Sequence, residues 1–525
     1  MASQPLKRRA VVSSLIFRFP HGDLERPQVA LFRRSDKVST YRHHLAPISG
    51  SIENHETAIE AAWRELREET TLTSQSLALW RTGKAFTFSD ESVQREWTVH
   101  PFAFRLKTLE EGGKGEQGLR IDWEHEGWQW HDPADIVDDP SFPGVPRLVD
   151  TLRRVYFEKD FSEPAARALA KGLRTLMDDH VSGSRQLTTI ALQIFKEFIS
   201  QMPDNKVDEK WWDTVRMGAW HLSKNGRPSM SAAILNGLLT ILDELEETVK
   251  QNTDDKEKFT TILSIIDRHI ANRAGMTQRI KNFLANYLRS KSFSADEDRN
   301  SVRILTVSSS STIHDTILDA FADLDAEILD LRILESRPLY EGAALAASLV
   351  SQFKSRIQSS QLPSDKKLQI SLYTDASAVT AADKAGVLLL GADRISSSGG
   401  VCNKIGSLPA VLGATYTWPN LDVVVLTETD KISPADEILL EENDPREVTA
   451  SWRTGHVKGI DVLEPYLSHH EDGNITVHIK NIYFEWVPLR LINTIICEDG
   501  ILDTSAIETK SKQIDAGVSR MFGGL

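Results

Sequence analysis

Apolar and polar positions along this chain change rhythm twice. Between residues 8 and 145, the runs VVSSLIFRF, PQVALFRR and EWTVHPFAFRL alternate or stay apolar in the manner of strands, and the turn-like HGDLERP separates the first two. One segment departs from that period: AAWRELREETTL repeats its apolar positions at helical spacing. EHEGWQWHDPADI is aromatic and acidic and ends in a proline-bearing turn, and GGKGEQG at 112–118 reads as a surface loop. Strands around one strong helix predict an α+β unit. From about 148 to 298 the strand signal almost disappears. SRQLTTIALQIFKEFISQM, MSAAILNGLLTILDELEETV and FTTILSIIDRHIANRAGMTQRIKNFLANYL place apolar residues at i, i+3, i+4 and i+7 and predict amphipathic helices. Linkers fall near PDNKVDEKWW and QNTDDKEK, and 290–301 is a polar connector. After 301, RILTV, AEILDLRIL, LQISLYT, GVLLLGA, LDVVVLT and TVHIKNIYF are short β-rich runs, several of them separated by helical stretches such as HDTILDAFADL and GAALAASLVSQFKSRIQ. Apolar strands alternating with helices predict a doubly wound parallel sheet covered on both faces. The predicted organisation is an α/β multidomain chain of three units: 1–147 (α+β), 148–298 (helical) and 299–525 (doubly wound sheet), the last two packed as one body.

Composition narrows the function classes. A chain of 525 residues exceeds one ordinary core, so two or three domains are expected. The formal net charge of −14 argues against a broad polyanion surface, so no nucleic-acid partner is expected; one phosphorylated small molecule needs only a local cation or a bound metal. Cys402 and Cys497 form neither a metal-ligand nor a disulfide pattern, which points to a reducing compartment. The apolar stretch after the basic N-terminus is short and strand-like, and no run approaches a membrane span. A cytoplasmic protein with no membrane partner is the expectation.

The first candidate chemistry lies in GSIENHETAIEAAWRELREETTL at 50–72. Glu65, Glu68 and Glu69 stand at i, i+3 and i+4, so a helix puts three carboxylates on one face. Such a face is solvated, paired with bases, or binds hard divalent cations through oxygen. A Mg²⁺ or Mn²⁺ there would bridge a diphosphate and activate water. The wider spacing of Gly50, Glu56, Arg64-Glu65-Leu66 and Glu68-Glu69 recurs by chance in a chain of this length on the order of one time in 10⁵. It resembles the Nudix box, and the resemblance extends over roughly the first 145 residues. It implies a pyrophosphohydrolase acting on a nucleoside diphosphate derivative, with Glu65, Glu68 and Glu69 as catalytic metal ligands. Gly50, Glu56 and Arg64 would be structural, Glu56 and Arg64 pairing to brace the loop. Thr71 replaces the closing glycine of the box, and a β-branched residue adopts a left-handed turn badly, which bears on the loop geometry there more than on the ligand set. Trp97, Trp123, Trp128 and Trp130 are read as core or edge packing, with base stacking as the alternative.

A second candidate site lies in the last third. RILTVSSSS runs into HDTILDAFADL, placing Ser308, Ser309, Ser310 and Ser311 at a strand-to-helix junction where backbone N–H groups favour an anion. LLLGADRISSSGGVCNKIGS places Asp393, Asn403 and Lys404 around a glycine turn at a strand end, where open parallel sheets hold ligands. With SGSRQL (182–187), GRPSM (226–230), ESRPLYEG (335–342), YTDAS (373–377) and NIYFEWVP (481–488), these segments resemble the family of the translation initiation factor 2B alpha subunit. Its metabolic relatives are methylthioribose-1-phosphate isomerase and ribose-1,5-bisphosphate isomerase. The resemblance implies a helical half, a Rossmann-like half and a homodimer. It also implies a phosphosugar pocket drawing on Arg185, Arg227, Ser308, Ser309, Ser310, Asp393, Asn403 and Lys404. Asp393 is one of the isomerases' catalytic pair; at the position of their cysteine stands Ser308, a poor acid–base group. Sugar-phosphate binding with weak or no isomerisation is expected, and Cys402 is read as a small buried residue. The leading expectation is a hydrolase fused to a phosphosugar binder. The alternative is a regulatory, metabolite-binding or translation-factor-like protein whose first domain senses or is inactive.

Overall fold

The computed structural model describes residues 6–20, 26–179, 182–203, 206–227, 230–291, 300–434, 443–467, 475 and 477–525. Most of the connector expected at 290–301, part of the HGDLERP turn, and positions 228–229 of GRPSM lie outside the described residues.

The first unit is a mixed sheet of eight strands. Lys7–Arg18 runs at its centre, parallel to Arg95–Leu106, and antiparallel to Gln28–Arg34 and Ile48–Ser51. Alternate residues of these strands serve different cores. Val12, Ile16, Ala30 and Phe32 pack with Ala61, Ala62 and Leu66 of the helix Ala58–Thr70. Leu15, Phe17, Val29 and Leu31 face the other way, against Leu148, Val149, Leu152 and Val155. This second core therefore reaches into 148–155, past the texture change at 147/148. Five strands were not expected from the sequence pattern: Leu45–Ala46, Ile48–Ser51, Leu77–Thr82, Phe86–Asp90 and His125–His131, the third and fourth of them paired with Arg95–Leu106.

Helices follow over Glu163–Asp178, Ser184–Ser200, Glu209–Asn225, Ser231–Lys250, Asp255–Arg273 and Met276–Ser290. The long helical run expected at 259–288 breaks at Ala274 and Gly275. The last unit is a seven-stranded sheet in the spatial order Lys367–Tyr373, Ile328–Leu334, Ser301–Val307, Val387–Leu390, Asp422–Leu426, Thr494–Cys497, Gly500–Leu502. All neighbours are parallel except the final hairpin. Leu388 and Leu390 join the core shared with the helical unit, while Val387 and Leu389 join the core on the opposite face. That two-sided burial is the doubly wound architecture. The run TVHIKNIYF departs from expectation: 477–481 is not strand, and Phe484–Val487 pairs in a separate three-stranded sheet with Gly400–Lys404 and Arg394–Ser396.

Candidate functional site

The glutamate helix begins where Thr57 Oγ1 accepts from the Glu60 N–H and the Glu60 carboxylate accepts from the Thr57 N–H, a capping box. One turn on, Arg64 ties the preceding loop to the helix. Its Nε and Nη2 donate to Glu56 at 3.1 and 2.7 Å, and Nη2 also reaches the Ser51 carbonyl at 3.0 Å. Nη1 donates to Glu65 Oε1 at 2.7 Å. Glu65 lies directly over Gly50: a Cβ on Gly50 would stand 1.8 Å from Glu65 Oε1. Only glycine leaves room for that carboxylate.

The three glutamates meet different surroundings. Glu68 is exposed and touches Arg64 at 3.4 Å. Glu69 is buried, and its Oε2 lies 2.6 Å from His125 Nε2. His125 comes from a segment pinned to the end of the helix, where the N–H groups of Arg120 and Asp122 donate to the carbonyls of Thr70 and Glu69. Burial, then Glu124, Glu65 and Asp122, hold the Glu69 carboxyl well above the ordinary glutamate range. Burial, with Arg34 nearby, pushes His125 down to about 4. Burial and Asp122 also raise Glu124. The sequence reading missed Asp122, Glu124 and His125; their signal was the alternation of acids in DWEHE. Four carboxylates with too little positive charge between them, all oxygen donors, suit a hard divalent cation. Among the described residues, no three of His, Cys, Asp and Glu are already gathered as a metal cluster.

Thr71 does adopt the left-handed turn, at φ 61° and ψ 4°. Its N–H donates to the Arg67 carbonyl at 3.0 Å and its hydroxyl to the Gly118 carbonyl at 3.1 Å. The left-handed backbone geometry is thus adopted here without glycine. Beside Gly50 lies a cavity of about 180 Å³ whose walls include Tyr41, Ser49, Phe88 and Trp97. Trp97 is the one of the four tryptophans on this wall. Trp128 and Trp130 pack edge-on, 5.4 Å apart, against the core, and Trp123 is exposed.

In the last unit the strand order reverses between Ser301–Val307 and Val387–Leu390, so the loops leaving these two strands flank one crevice. Ser308, at φ 67°, turns the chain; Ser310 caps the helix Ser311–Ala322 by accepting from the Ile313 N–H. A Cβ on Gly391 would fall 2.6 Å from Ser310 Oγ, which shows how closely the two loops approach. Asp393 is half-buried, and burial raises its carboxyl against the pull of Lys431, Lys404 and Arg227. Arg227, from the helical unit, and Asp393 are thus within electrostatic reach of one another. Lys404 Nζ binds Glu341 Oε1 at 2.5 Å and lies over the Tyr483 ring at 4.1 Å. The other oxygen of Glu341 is buried with no hydrogen-bond partner among the described residues. Asn403 donates to Ser407 Oγ at 2.9 Å. Arg185 is engaged elsewhere, with Asp315 and Thr277. Lys431 went unnoticed in the sequence because nothing local marks it, and Glu341 lay within ESRPLYEG without being singled out; the fold brings both to Asp393. Cys402 and Cys497 are both buried.

The family model described as Initiation factor 2 subunit family matches residues 180–504, and that described as NUDIX domain matches residues 7–154. Methylthioribose-1-phosphate isomerase of Pelotomaculum thermopropionicum is 31% identical over 190 residues, covering 35% of this chain and 44% of the relative. That of Geobacillus kaustophilus is 30% identical over 178 residues, covering 33% and 42%. The chain thus matches less than half the length of these relatives. Among solved structures, the translation initiation factor eIF-2B of Pyrococcus horikoshii gives a TM-score of 0.43 at 20% identity, covering 64% of this chain and 96% of that one. Its 5-methylthioribose 1-phosphate isomerase gives 0.44 at 18%, covering 66% and 87%.

Proposed function

The chain belongs to the Initiation factor 2 subunit family and carries a NUDIX domain ahead of that region, and from this premise we propose that it is a divalent-metal-dependent pyrophosphohydrolase fused to a sugar-phosphate-binding body. The observation that carries the reading is the electrostatic proximity of Glu65, Glu69, Asp122 and Glu124, with Glu65 packed on Gly50 and Glu69 raised first by burial and then by these neighbours. Glu65 and Glu69, with Glu124, would hold Mg²⁺ or Mn²⁺. The ion supplies charge neutralisation on the diphosphate and a more acidic bound water. Arg64 and Glu56 keep the loop closed on the helix. Glu68, exposed at the rim and only loosely paired with Arg64 at 3.4 Å, would take the proton of the attacking water. The 180 Å³ cavity beside Gly50 offers Trp97 and Phe88 to a base. The substrate class is a nucleoside diphosphate derivative of the ADP-ribose or nucleotide-sugar type. A panel of such compounds with Mg²⁺ or Mn²⁺, resolved by product chromatography, tests it. Turnover in the wild type that falls by orders of magnitude in Glu68→Gln and Glu69→Gln is expected; no turnover on any compound rejects it.

The second body takes the sugar phosphate that such a cleavage releases. Lys404, Arg227 and the serine junction would bind phosphate, and the open oxygen of Glu341 would accept a sugar hydroxyl. Asp393, holding its proton more tightly than usual, needs an acid–base partner for aldose–ketose exchange, and Ser308 is a poor one. Binding with weak or no isomerisation is expected in the wild type. Rapid wild-type isomerisation abolished by Asp393→Asn overturns that. The serine also supports a regulatory second reading: a melting-temperature shift with sugar phosphates but no turnover in either half would establish it. We also expect a homodimer through the second body, where Val379, Leu412 and Tyr416 are exposed apolar side chains on neighbouring helices.

A further inference from the structure

The two halves are joined by more than chain continuity. The Asn225 side chain accepts from the Thr82 N–H at 2.7 Å and donates to the Thr82 carbonyl at 3.0 Å, so the helical unit caps the end of the strand Leu77–Thr82. Next to this bond, in the seam, lies a cavity of about 490 Å³. Its walls come from both sides: Arg26, Trp80 and Arg81 from the sheet unit, Tyr156 and Glu158 from the connection, Glu163, Arg167 and Arg174 from the helix Glu163–Asp178.

Charge in this cavity is unbalanced. Arg81 is buried and spent on Glu158, in a two-pronged pair at 2.6 and 2.7 Å, with its guanidinium over the Trp80 ring. Arg167 pairs with Glu163 at 2.6 Å. That leaves Arg26 and Arg174, one on each side, exposed and with no protein partner among the described residues. Two uncompensated guanidiniums facing a common space are unusual in a chain of net charge −14. Guanidinium groups match phosphate oxygens in geometry and charge. The half-buried Trp80 and Tyr156 add aromatic surface to the same cavity. The volume lies in the range of organic-ligand pockets and exceeds what a bare phosphate fills.

We propose that this seam is a binding site for a nucleoside phosphate, its phosphate held between Arg26 and Arg174 and its base against Trp80 and Tyr156. The site is separate from the glutamate helix and from Asp393, and the proposal does not rest on either being active. Because its walls come from both halves, occupancy would link their relative position to nucleotide level.

The test uses the full chain in EDTA, titrated calorimetrically with AMP and, separately, with inorganic phosphate. The variants are Arg26→Gln with Arg174→Gln, and Trp97→Leu as a control for the cavity beside Gly50. Both arginines are exposed, so the double variant is expected to melt with the wild type. AMP should bind roughly tenfold or more weaker in the double variant than in the wild type, and in both the wild type and Trp97→Leu at least about tenfold tighter than inorganic phosphate. Unchanged AMP affinity in the double variant overturns the proposal. So does inorganic phosphate binding as well as AMP, or no AMP binding at millimolar concentration. Metal-dependent turnover of the double variant, measured alongside, keeps a failure here distinct from a failure of the hydrolase reading.

Discussion

Gly50→Ala is the sharpest test of how the first site is built. Gly50 does not have the positive φ that only glycine adopts easily, so its backbone can accept alanine. The obstacle is the Glu65 carboxylate. An added Cβ would stand 1.8 Å from Oε1 and 1.9 Å from Cδ, where real contacts do not fall below 3.0 Å. Glu65 must therefore move its carboxylate by more than an ångström, while Arg64 keeps its bonds to Glu56 and Ser51. A displacement of about 1 Å in a catalytic constellation costs on the order of 100-fold in rate, near 2.7 kcal/mol of transition-state stabilisation. Stability should change far less. Alanine gains roughly 0.5–1 kcal/mol over glycine in a strand, which offsets part of the weakened Arg64–Glu65 pair. The assay is metal-dependent hydrolysis of ADP-ribose, or of whichever compound the panel selects, beside thermal melting. Glu65→Asp retracts the carboxylate by one methylene, about 1.5 Å. In the Gly50→Ala background it should be less harmful than on its own, a favourable coupling in the double-mutant cycle. Full activity in Gly50→Ala, or strict additivity in the cycle, would show that Glu65 does not act from this position.

Three further outcomes are expected. Asn225→Ala strips both Thr82 backbone groups and His221 Nδ1 of their partner, and should lower stability by about 1–3 kcal/mol; urea unfolding measures it, and a loss below about 0.5 kcal/mol would mean the seam carries little. His221 is fully buried and held well below its ordinary value by burial, with Arg81 nearby. Its depressed folded value means its contribution is intact above the unfolded value of about 6.5 and is lost as pH falls below it, at up to about 1.4 kcal/mol per pH unit. His221→Gln should flatten that acid limb in a pH series of melts, and an unchanged slope would refute the assignment. Thr71→Val keeps the left-handed strain but deletes the hydroxyl bond to Gly118, and should lower stability by about 0.5–1.5 kcal/mol.

Local chemistry wrote much of this molecule into its sequence. The spacing from Gly50 to Glu69 and the switch from strand to helix to alternating texture each depend on residues close in the chain. Short-range periodicity therefore predicted the α/β fold class and the glutamate helix. Where local preference was weak, that reading was incomplete. LALWRT and FTFSD became strands because Arg95–Leu106 offered an unpaired edge, and TVHIKNIYF yielded only a short strand at its end. Thr71 took the left-handed turn despite its β-branch because Gly118, remote in sequence, accepts its hydroxyl.

The surroundings of the site residues were a tertiary matter throughout. Glu65, Glu68 and Glu69 share a helix face by spacing, but only the packed fold puts the first on Gly50, leaves the second in solvent and buries the third against His125. Arg185 and Arg227 read alike in the sequence; the fold commits one to Asp315 and brings the other within reach of Asp393. The seam between Arg26 and Arg174 has no sequence signature at all, since its walls come from separate segments of both halves. Residue type and spacing set which bonds a side chain can make. Which of them it does make depends on burial and on partners far along the chain, and those exist only once the chain has folded.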